Sequence, residues 1–153
     1  MSPVERVVAA LREAGVDAEV CRFDEPVPTA AAAAEALGCD VGAIANSLVF
    51  DADGAPLLVL ASGAHRVDTG EVAALVGARR VRRATPAFVL AAPGQVVGGV
   101  APAGHPAPRR TLVDVDLARY EVLWAGGGDH HTMVSLTYAD LLRLTGGAEA
   151  AVA

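Results

Sequence analysis

The segment Ile44-Ala45-Asn46-Ser47-Leu48-Val49-Phe50 is followed by Asp51-Ala52-Asp53-Gly54 and then by Pro56-Leu57-Leu58-Val59-Leu60-Ala61. Two apolar runs joined by an Asp-Gly pair are typical of a β-hairpin, because both turn residues accept the positive φ angles of a tight turn. Two polar residues stand near the start of the first run. The segment therefore predicts a hairpin inside the protein whose first strand carries two polar side chains.

Capping residues divide the rest of the chain into short helices. Ser2 precedes a proline and stands three residues before Glu5, which is the pattern of a capping box followed by Pro at the first helical position. Similar signals, each ended by glycine or a turn, predict helices from Pro3 up to Gly15, over 30–37, over 69–76 and over 138–144, and a further helix that starts at Thr85-Pro86.

Short apolar runs between these helices predict strands over 16–23, 79–83, 110–115, 121–125 and 133–136. Strands alternating with short helices at uneven spacing favour an α+β (mixed α/β) fold, with a central mixed sheet and helices packed outside. We expect residues 1–147 to form a single domain and residues 148–153 to form a flexible tail.

Composition restricts the class of protein. The 153 residues are 53% hydrophobic but only 4% aromatic, which is typical of a core of small aliphatic side chains. Cys21 and Cys39 provide no disulfide framework, and we see no signal peptide or membrane-spanning run. We therefore expect a cytoplasmic protein without a membrane or DNA partner.

The formal net charge is −6, and all twelve basic residues are arginines. Bulk electrostatics therefore do not attract nucleic acid, and any RNA contact requires a local patch or recognition of the RNA end. Arg79, Arg80, Arg82 and Arg83 form the one basic cluster of the sequence. Ordinary solvated arginines explain it as well as contact with an acceptor stem does.

A second distinctive segment is Gly98-Gly99-Val100-Ala101-Pro102, followed by Ala103-Gly104-His105-Pro106. Glycines let the main chain approach a ligand closely, and proline fixes the local path. Such a loop presents backbone groups for recognition, although a plain connecting loop is an alternative interpretation.

Together with TAAAAAEALG before the hairpin and WAGGGDHHTMVSLTYADLLRLTG near the end, these segments resemble the YbaK/EbsC-like family. These are aminoacyl-tRNA deacylases related to the editing domain of prolyl-tRNA synthetase. The resemblance covers nearly the whole chain. It implies a largely antiparallel, partly barrel-like sheet of six or seven strands. The implied activity is trans-editing, the hydrolysis of the ester of tRNA mischarged with a small amino acid. The implied partners are the acceptor end of aminoacyl-tRNA and, as an open second partner, an aminoacyl-tRNA synthetase.

The resemblance also indicates site residues. Asn46, Ser47 and Gly99 are the catalytic candidates. The substrate-binding candidates are Phe23, Gly98, Val100, Ala101, Pro102, His105 and Asp129. Neighbouring residues of a regular strand face opposite sides of the sheet, so we expect an irregular strand start if Asn46 and Ser47 share one pocket. The alternative interpretations are polar side chains bonded to local backbone, a solvent-exposed loop histidine and a turn aspartate.

One departure from the family pattern bears on activity. Asn46 stands where the family has its principal lysine, and the chain contains no lysine at all. An amide donates hydrogen bonds and positions water, but it supplies no positive charge. A non-catalytic module that binds aminoacyl-tRNA, an amino acid or a synthetase is therefore an alternative to the hydrolase.

We expect no cofactor and no metal. The histidines are His65, His105, His130 and His131, and none of them forms a pair at metal-ligand spacing.

Overall fold

The computed structural model describes residues 2–85, 87, 101–102 and 110–153. The helix predicted from Thr85-Pro86 and most of the glycine-rich loop lie outside these residues. The helices are α1 Pro3–Glu13, α2 Ala30–Leu37, α3 Thr69–Val76 and α4 Tyr138–Thr145, with 3-10 turns at Val41–Ala43 and Val115–Arg119. No helix among the described residues is both long and apolar enough to cross a membrane.

Capping residues set the helix boundaries, as the sequence predicts. Ser2 and Glu5 form a reciprocal capping box at α1, and Thr137 and Asp140 form another at α4. Thr29 caps α2 by accepting a hydrogen bond from the Ala32 amide at 3.1 Å. The helix predictions at these positions are confirmed to within one or two residues.

The eight described strands are β1 Val20–Arg22, β2 Ile44–Ala52, β3 Ala55–Ser62, β4 Val81–Arg83, β5 Arg110–Asp114, β6 Leu123–Gly126, β7 Thr132–Leu136 and β8 Ala148–Ala150. They form one sheet in the order β1-β7-β6-β2-β3-β5-β8, and β4 also pairs with β2. Pairs β1–β7, β6–β7, β2–β3 and β2–β4 are antiparallel, whereas β2–β6, β3–β5 and β5–β8 are parallel. The predicted α+β fold with a central mixed sheet is confirmed.

The hairpin of β2 and β3 forms the centre of this sheet. Ala52 pairs with Ala55, so the turn has two residues, Asp53 at φ 52° and Gly54 at φ 91°. Two positive φ angles define a type I′ turn, whose twist matches that of the flanking strands. The Gly54 amide donates to the Asp51 carboxylate at 2.6 Å, which fixes the turn further.

Side chains of the hairpin alternate between two covered faces of the sheet. Leu58 and Leu60 pack with Val7 of α1 and Leu141 of α4 on what we call the α1 face. Leu57, Val59 and Phe50 pack with Val72 of α3 on the opposite face, here called the α3 face. Helix α2 packs beside Ile44 and Met133 in a third cluster. Burial on both faces explains why the two strands are apolar nearly throughout.

Two predictions at the ends of elements were wrong. Strand β1 covers three residues and not 16–23, because Val16 is buried against α1 and its amide donates to the Leu11 carbonyl at 2.9 Å. Residues 148–153 are not a free tail, because Ala148–Ala150 pair with β5 and Val152 is fully buried. The β5 edge offers unpaired backbone groups, and the apolar end of the chain covers them.

Candidate functional site

Strand β2 has a gap along one edge. Strand β3 occupies the other edge, whereas this edge pairs with β6 at Ile44 and Ala45 and with β4 from Phe50 to Ala52. Among the described strands, none pairs with residues 46–49 on this side. A pocket of about 260 Å³ lies at the gap. Its described lining residues are Val27, Pro28, Thr29, Ala30, Ala33, Ile44, Ala45, Asn46, Ser47, Leu48, Val49, Arg83, Ala84, Gly126 and Met133.

Backbone groups of β2 alternate between the two edges. The Ile44 carbonyl accepts from Gly63, beyond the end of β3, at 2.8 Å, and the Val49 carbonyl accepts from Ala84 on the gap side at 3.2 Å. Odd-numbered residues therefore direct their N–H and C=O groups to the gap side, and these include the amide and carbonyl of Ser47. A ligand in the gap meets a backbone donor and a backbone acceptor at this residue.

The position of the pocket at a strand edge explains how Asn46 and Ser47 both line it. Their side chains lie on opposite faces, as period-two alternation requires, and the register with β3 runs without interruption from Ala45 to Ala52. The expected irregular strand start is absent from β2 and is not needed, because the pocket opens between the two faces.

The Asn46 carboxamide has no hydrogen-bond partner among the residues that the structure describes. Asn46 pairs with Ala61 through the backbone and lies half-buried on the α3 face. No hydrogen bond joins its carboxamide to another described residue. The alternative interpretation, in which this side chain bonds to local backbone, has no support within the described part of the chain.

Ser47 carries a buried hydroxyl on the α1 face. Its Oγ makes no hydrogen bond with the described residues. An unsatisfied buried hydroxyl costs about 1–3 kcal/mol. Packing of Ala45 and Val49 in the core of the same face holds the strand in place despite this cost.

Small and medium aliphatic side chains form the apolar wall of the pocket. Helix α2 contributes Ala30 and Ala33, Val27 precedes this helix, and Ile44 and Met133 come from the sheet. Phe23 packs against this cluster but is absent from the described lining. The structure thus places Phe23 beside the apolar wall, and its role in substrate binding stays a prediction.

The end of the glycine-rich loop lies on the α1 face. Ala101 is fully buried in the same cluster as Ala45 and Val49, and Pro102 is also buried. Neither is a lining residue of the pocket, although Ala45 and Val49 of the same cluster are. The predicted residues Gly98, Gly99, Val100 and His105 lie outside the described residues.

Asp129 lies in the turn between β6 and β7 and not in the described lining of the pocket. Its carboxylate accepts a hydrogen bond from the His131 amide at 2.9 Å, and the His131 ring contacts the Phe23 carbonyl at 3.0 Å. An aspartate that bonds the backbone two residues ahead is typical of a turn. This geometry favours the turn interpretation of Asp129.

Arg83 lines the pocket. The sequence leaves open whether the basic cluster to which it belongs is solvated or contacts RNA. It is exposed and pairs with Phe50, so it lies on the α3 face. Its neighbour Arg82 lies on the other face, where its guanidinium contacts the Asp51 carboxylate at 3.3 Å. The alternation within the basic cluster was visible in the sequence, but the pairing of β4 with β2 was not.

A second polar cluster lies where β3 and β5 end. His65 Nδ1 is 2.8 Å from Asp114 Oδ2, and His65 Nε2 is 2.8 Å from Asp116 Oδ2. Asp114 is buried and also accepts hydrogen bonds from the Ser62 and Asp116 amides at 3.0 Å. Among the described residues, these three side chains are the group whose spacing could hold a metal ion. Both ring nitrogens already face carboxylates, so the cluster is internally paired.

The Aminoacyl-tRNA editing domain model matches residues 24–144. The uncharacterized protein YwhH of Bacillus subtilis is 29% identical over 80% of this chain and 78% of its own length. A proline–tRNA ligase of Nitratidesulfovibrio vulgaris is 32% identical over 71% of this chain but only 21% of the ligase. The chain therefore matches only about a fifth of that much longer enzyme.

Solved structures agree with these sequence matches. A crystal structure described as a candidate trans-editing enzyme for prolyl tRNA synthetase has a TM-score of 0.90 and 38% identity, with 98% of this chain and 96% of that chain covered. The hypothetical protein APE2540 has a TM-score of 0.89 and 27% identity over 96% of this chain and 98% of its own. The family match covers the described lining of the pocket, both strands of the hairpin and helices α2 and α3. The chain belongs to the aminoacyl-tRNA editing domain family.

Proposed function

We propose that this protein hydrolyses the ester of tRNA mischarged with a small amino acid. One observation carries the proposal. The carboxamide of Asn46 and the gap-side backbone groups of Ser47, none of them paired with another described residue, meet at one small pocket that both residues line. Polar groups that the fold leaves without partners are suited to binding a polar ligand.

The reaction requires a water molecule to add to the acyl carbonyl. The bond between the carbonyl carbon and the ribose oxygen then breaks, and that oxygen takes a proton, leaving a free amino acid and uncharged tRNA. The Asn46 amide and the Ser47 backbone N–H are the groups able to donate to the carbonyl oxygen while negative charge develops on it.

Neither an amide nor a serine hydroxyl is a base at neutral pH. Proton transfer therefore involves the water and the neighbouring ribose hydroxyl of the substrate, as the family resemblance implies. The protein contributes orientation of the ester and stabilisation of its oxygen.

The apolar wall supports a small amino acid. Val27, Ala30, Ala33, Ile44 and Met133 leave a cavity of about 260 Å³ that must also admit part of the terminal nucleoside. Large side chains would collide with this wall. Overfilling a packed site costs about 1–3 kcal/mol, which is enough for discrimination of ten-fold or more.

The missing lysine favours a second candidate, a module of the same fold that binds aminoacyl-tRNA without hydrolysing it. Asn46 gives the pocket no charge at the position where the family pattern has an ammonium. In this case the same contacts would hold the ester intact.

A deacylation screen of tRNAs charged with small amino acids separates the two candidates. We expect the natural protein to release amino acid and Asn46→Ala to lower kcat about 100-fold, as loss of one oxyanion donor does elsewhere. Because the carboxamide bonds no described residue, the melting temperature of Asn46→Ala should match that of the natural protein. Turnover that appears only in Asn46→Lys would indicate the binding module, and the absence of turnover in every variant would contradict the hydrolase.

A further inference from the structure

The described lining of the pocket includes one charged side chain. Among the described residues that line it, Arg83 is the only one with an ionisable group. The formal net charge of the chain is −6, so a single positive group beside the pocket opposes the overall field. At a site for an RNA end, the positive charge of Arg83 is suited to attract an anionic group.

The described contacts of the neighbouring arginines differ: Arg82 uses its guanidinium, whereas Arg79 and Arg80 use their backbone amides. The Arg82 guanidinium pairs with Asp51 at 3.3 Å. The Asp53 carboxylate accepts from the backbone amides of Arg79 and Arg80 at 2.9 and 3.0 Å, which anchors the start of β4 to the hairpin turn. Arg83 forms no ion pair with an acid of the described chain.

The register between β2 and β4 places Arg83 relative to Asn46. Arg83 pairs directly with Phe50, and Asn46, Leu48 and Phe50 alternate onto the same α3 face. Four residues of strand separate the Cα atoms of Asn46 and Phe50 by about 13 Å. The amide and the guanidinium therefore approach the pocket from two ends, so one ligand can engage both through different groups.

We propose that Arg83 binds the phosphate that links the terminal nucleoside to the rest of the RNA, and so supplies the positive charge absent at Asn46. The inference rests on the proposed function. In the substrate, the ester and this phosphate are on opposite sides of one ribose, which fits separate recognition by Asn46 and Arg83. A guanidinium is suited to this task because its planar fork donates two hydrogen bonds to one phosphate.

The test compares adenosine analogues that carry alanine through a non-hydrolysable 3′-amide, with and without a 5′-phosphate. We expect the phosphate to tighten binding to the natural protein about ten-fold and to have no effect on binding to Arg83→Gln. Arg82→Gln is the matched control and should retain the full phosphate effect, because its side chain lies on the other face. Arg83→Lys should restore part of the effect, since it keeps the charge and loses the fork.

Salt dependence provides a second readout. The slope of log Kd against log salt for the phosphorylated analogue should become shallower in Arg83→Gln, because one screened ion pair is lost, and stay unchanged in Arg82→Gln. An equal phosphate effect in Arg83→Gln and in the natural protein would overturn the role of Arg83. If the natural protein does not hydrolyse aminoacyl-tRNA, the proposed function is contradicted instead. The two failures are therefore distinguishable.

Discussion

The pocket and the His65 cluster are both polar regions, and they differ in how far the fold satisfies them. Within the cluster, Asp114 accepts from His65 and from the amides of Ser62 and Asp116, while the His65 ring contacts a carboxylate at each nitrogen. In the pocket, the Ser47 hydroxyl is buried without a described partner and the Asn46 carboxamide bonds no described residue. The polar groups of the cluster satisfy one another, whereas those of the pocket find no partner within the described part of the chain.

The two regions are neighbours on the same ladder. Ser62 pairs with Ala45, and Ala61 pairs with Asn46. The Ser62 hydroxyl also donates to the Gly42 carbonyl at 2.9 Å, which ties the segment before β2 to the end of β3. The satisfied cluster thus fixes the strand start from which the unsatisfied groups project into the pocket.

Asp114→Ala should break this arrangement most strongly. It leaves the buried Ser62 amide and the His65 ring without their acceptor, and we expect a loss of about 3 kcal/mol of unfolding free energy. For a chain of this length, this loss corresponds to a drop of roughly 10 °C in Tm by calorimetry. Asp116→Ala is the matched control and should cost less, because its side chain is about one-third exposed. Equal losses in both variants would show that the buried carboxylate contributes no more to stability than the partly exposed one.

Local signals were sufficient to predict the elements that depend on neighbouring residues. The hairpin turn at Asp53-Gly54 and the capping boxes at Ser2 and Thr137 require only residues close in the chain, and all three formed as predicted. Strand β8 depends on the edge of β5, more than thirty residues away. Its three residues are two alanines and a glutamate, which have low β-propensity, so the sequence suggested a tail.

The residues of the candidate site likewise divide into those that local sequence signals predict and those that only long-range strand pairing places. Asn46 and Ser47 could be found because they are polar residues at the start of an apolar strand, and the family resemblance drew attention to them. The gap that makes both accessible results from where β4 and β6 stop pairing with β2, and that register is long-range. Arg83 and the partners of His65 were missed for the same reason.

Ser47→Ala tests separately whether the Ser47 hydroxyl contributes to stability and whether it contributes to hydrolysis. Removing a buried hydroxyl that has no partner should leave the unfolding free energy unchanged or raise it by up to about 1 kcal/mol. Hydrolysis should fall, because Ser47 lines the pocket. Denaturant unfolding and deacylation rates of one preparation measure both quantities.

Thr132→Val is the matched control for Ser47→Ala. The Thr132 Oγ1 is likewise buried without a described partner, but Thr132 is absent from the pocket lining. We expect the same small effect on stability and no effect on hydrolysis. Lower stability in Ser47→Ala would show that its hydroxyl is already bonded within the folded protein, which would remove the contrast between the two regions.

The smallest expected effect concerns the C-terminal strand beside the satisfied cluster. Ala150 pairs with Asp114, and the Tyr138 hydroxyl donates to the Glu149 carboxylate at 2.8 Å. Burial and this hydrogen bond raise the pKa of Tyr138. Tyr138→Phe removes one exposed hydrogen bond and should cost about 0.5 kcal/mol at neutral pH, with hydrolysis unchanged.

The contribution of Tyr138 to the unfolding free energy depends on pH. An unfolded tyrosine ionises near pH 10, whereas the raised pKa of Tyr138 keeps the folded form protonated to higher pH. The Tyr138 contribution is therefore complete below about pH 10 and is lost as the pH rises further. Unfolding free energies should converge between the natural protein and Tyr138→Phe above that pH. A gap that widens with pH would mean that Glu149 does not hold the Tyr138 proton, and that β8 is fixed by the buried Val152 and backbone pairing alone.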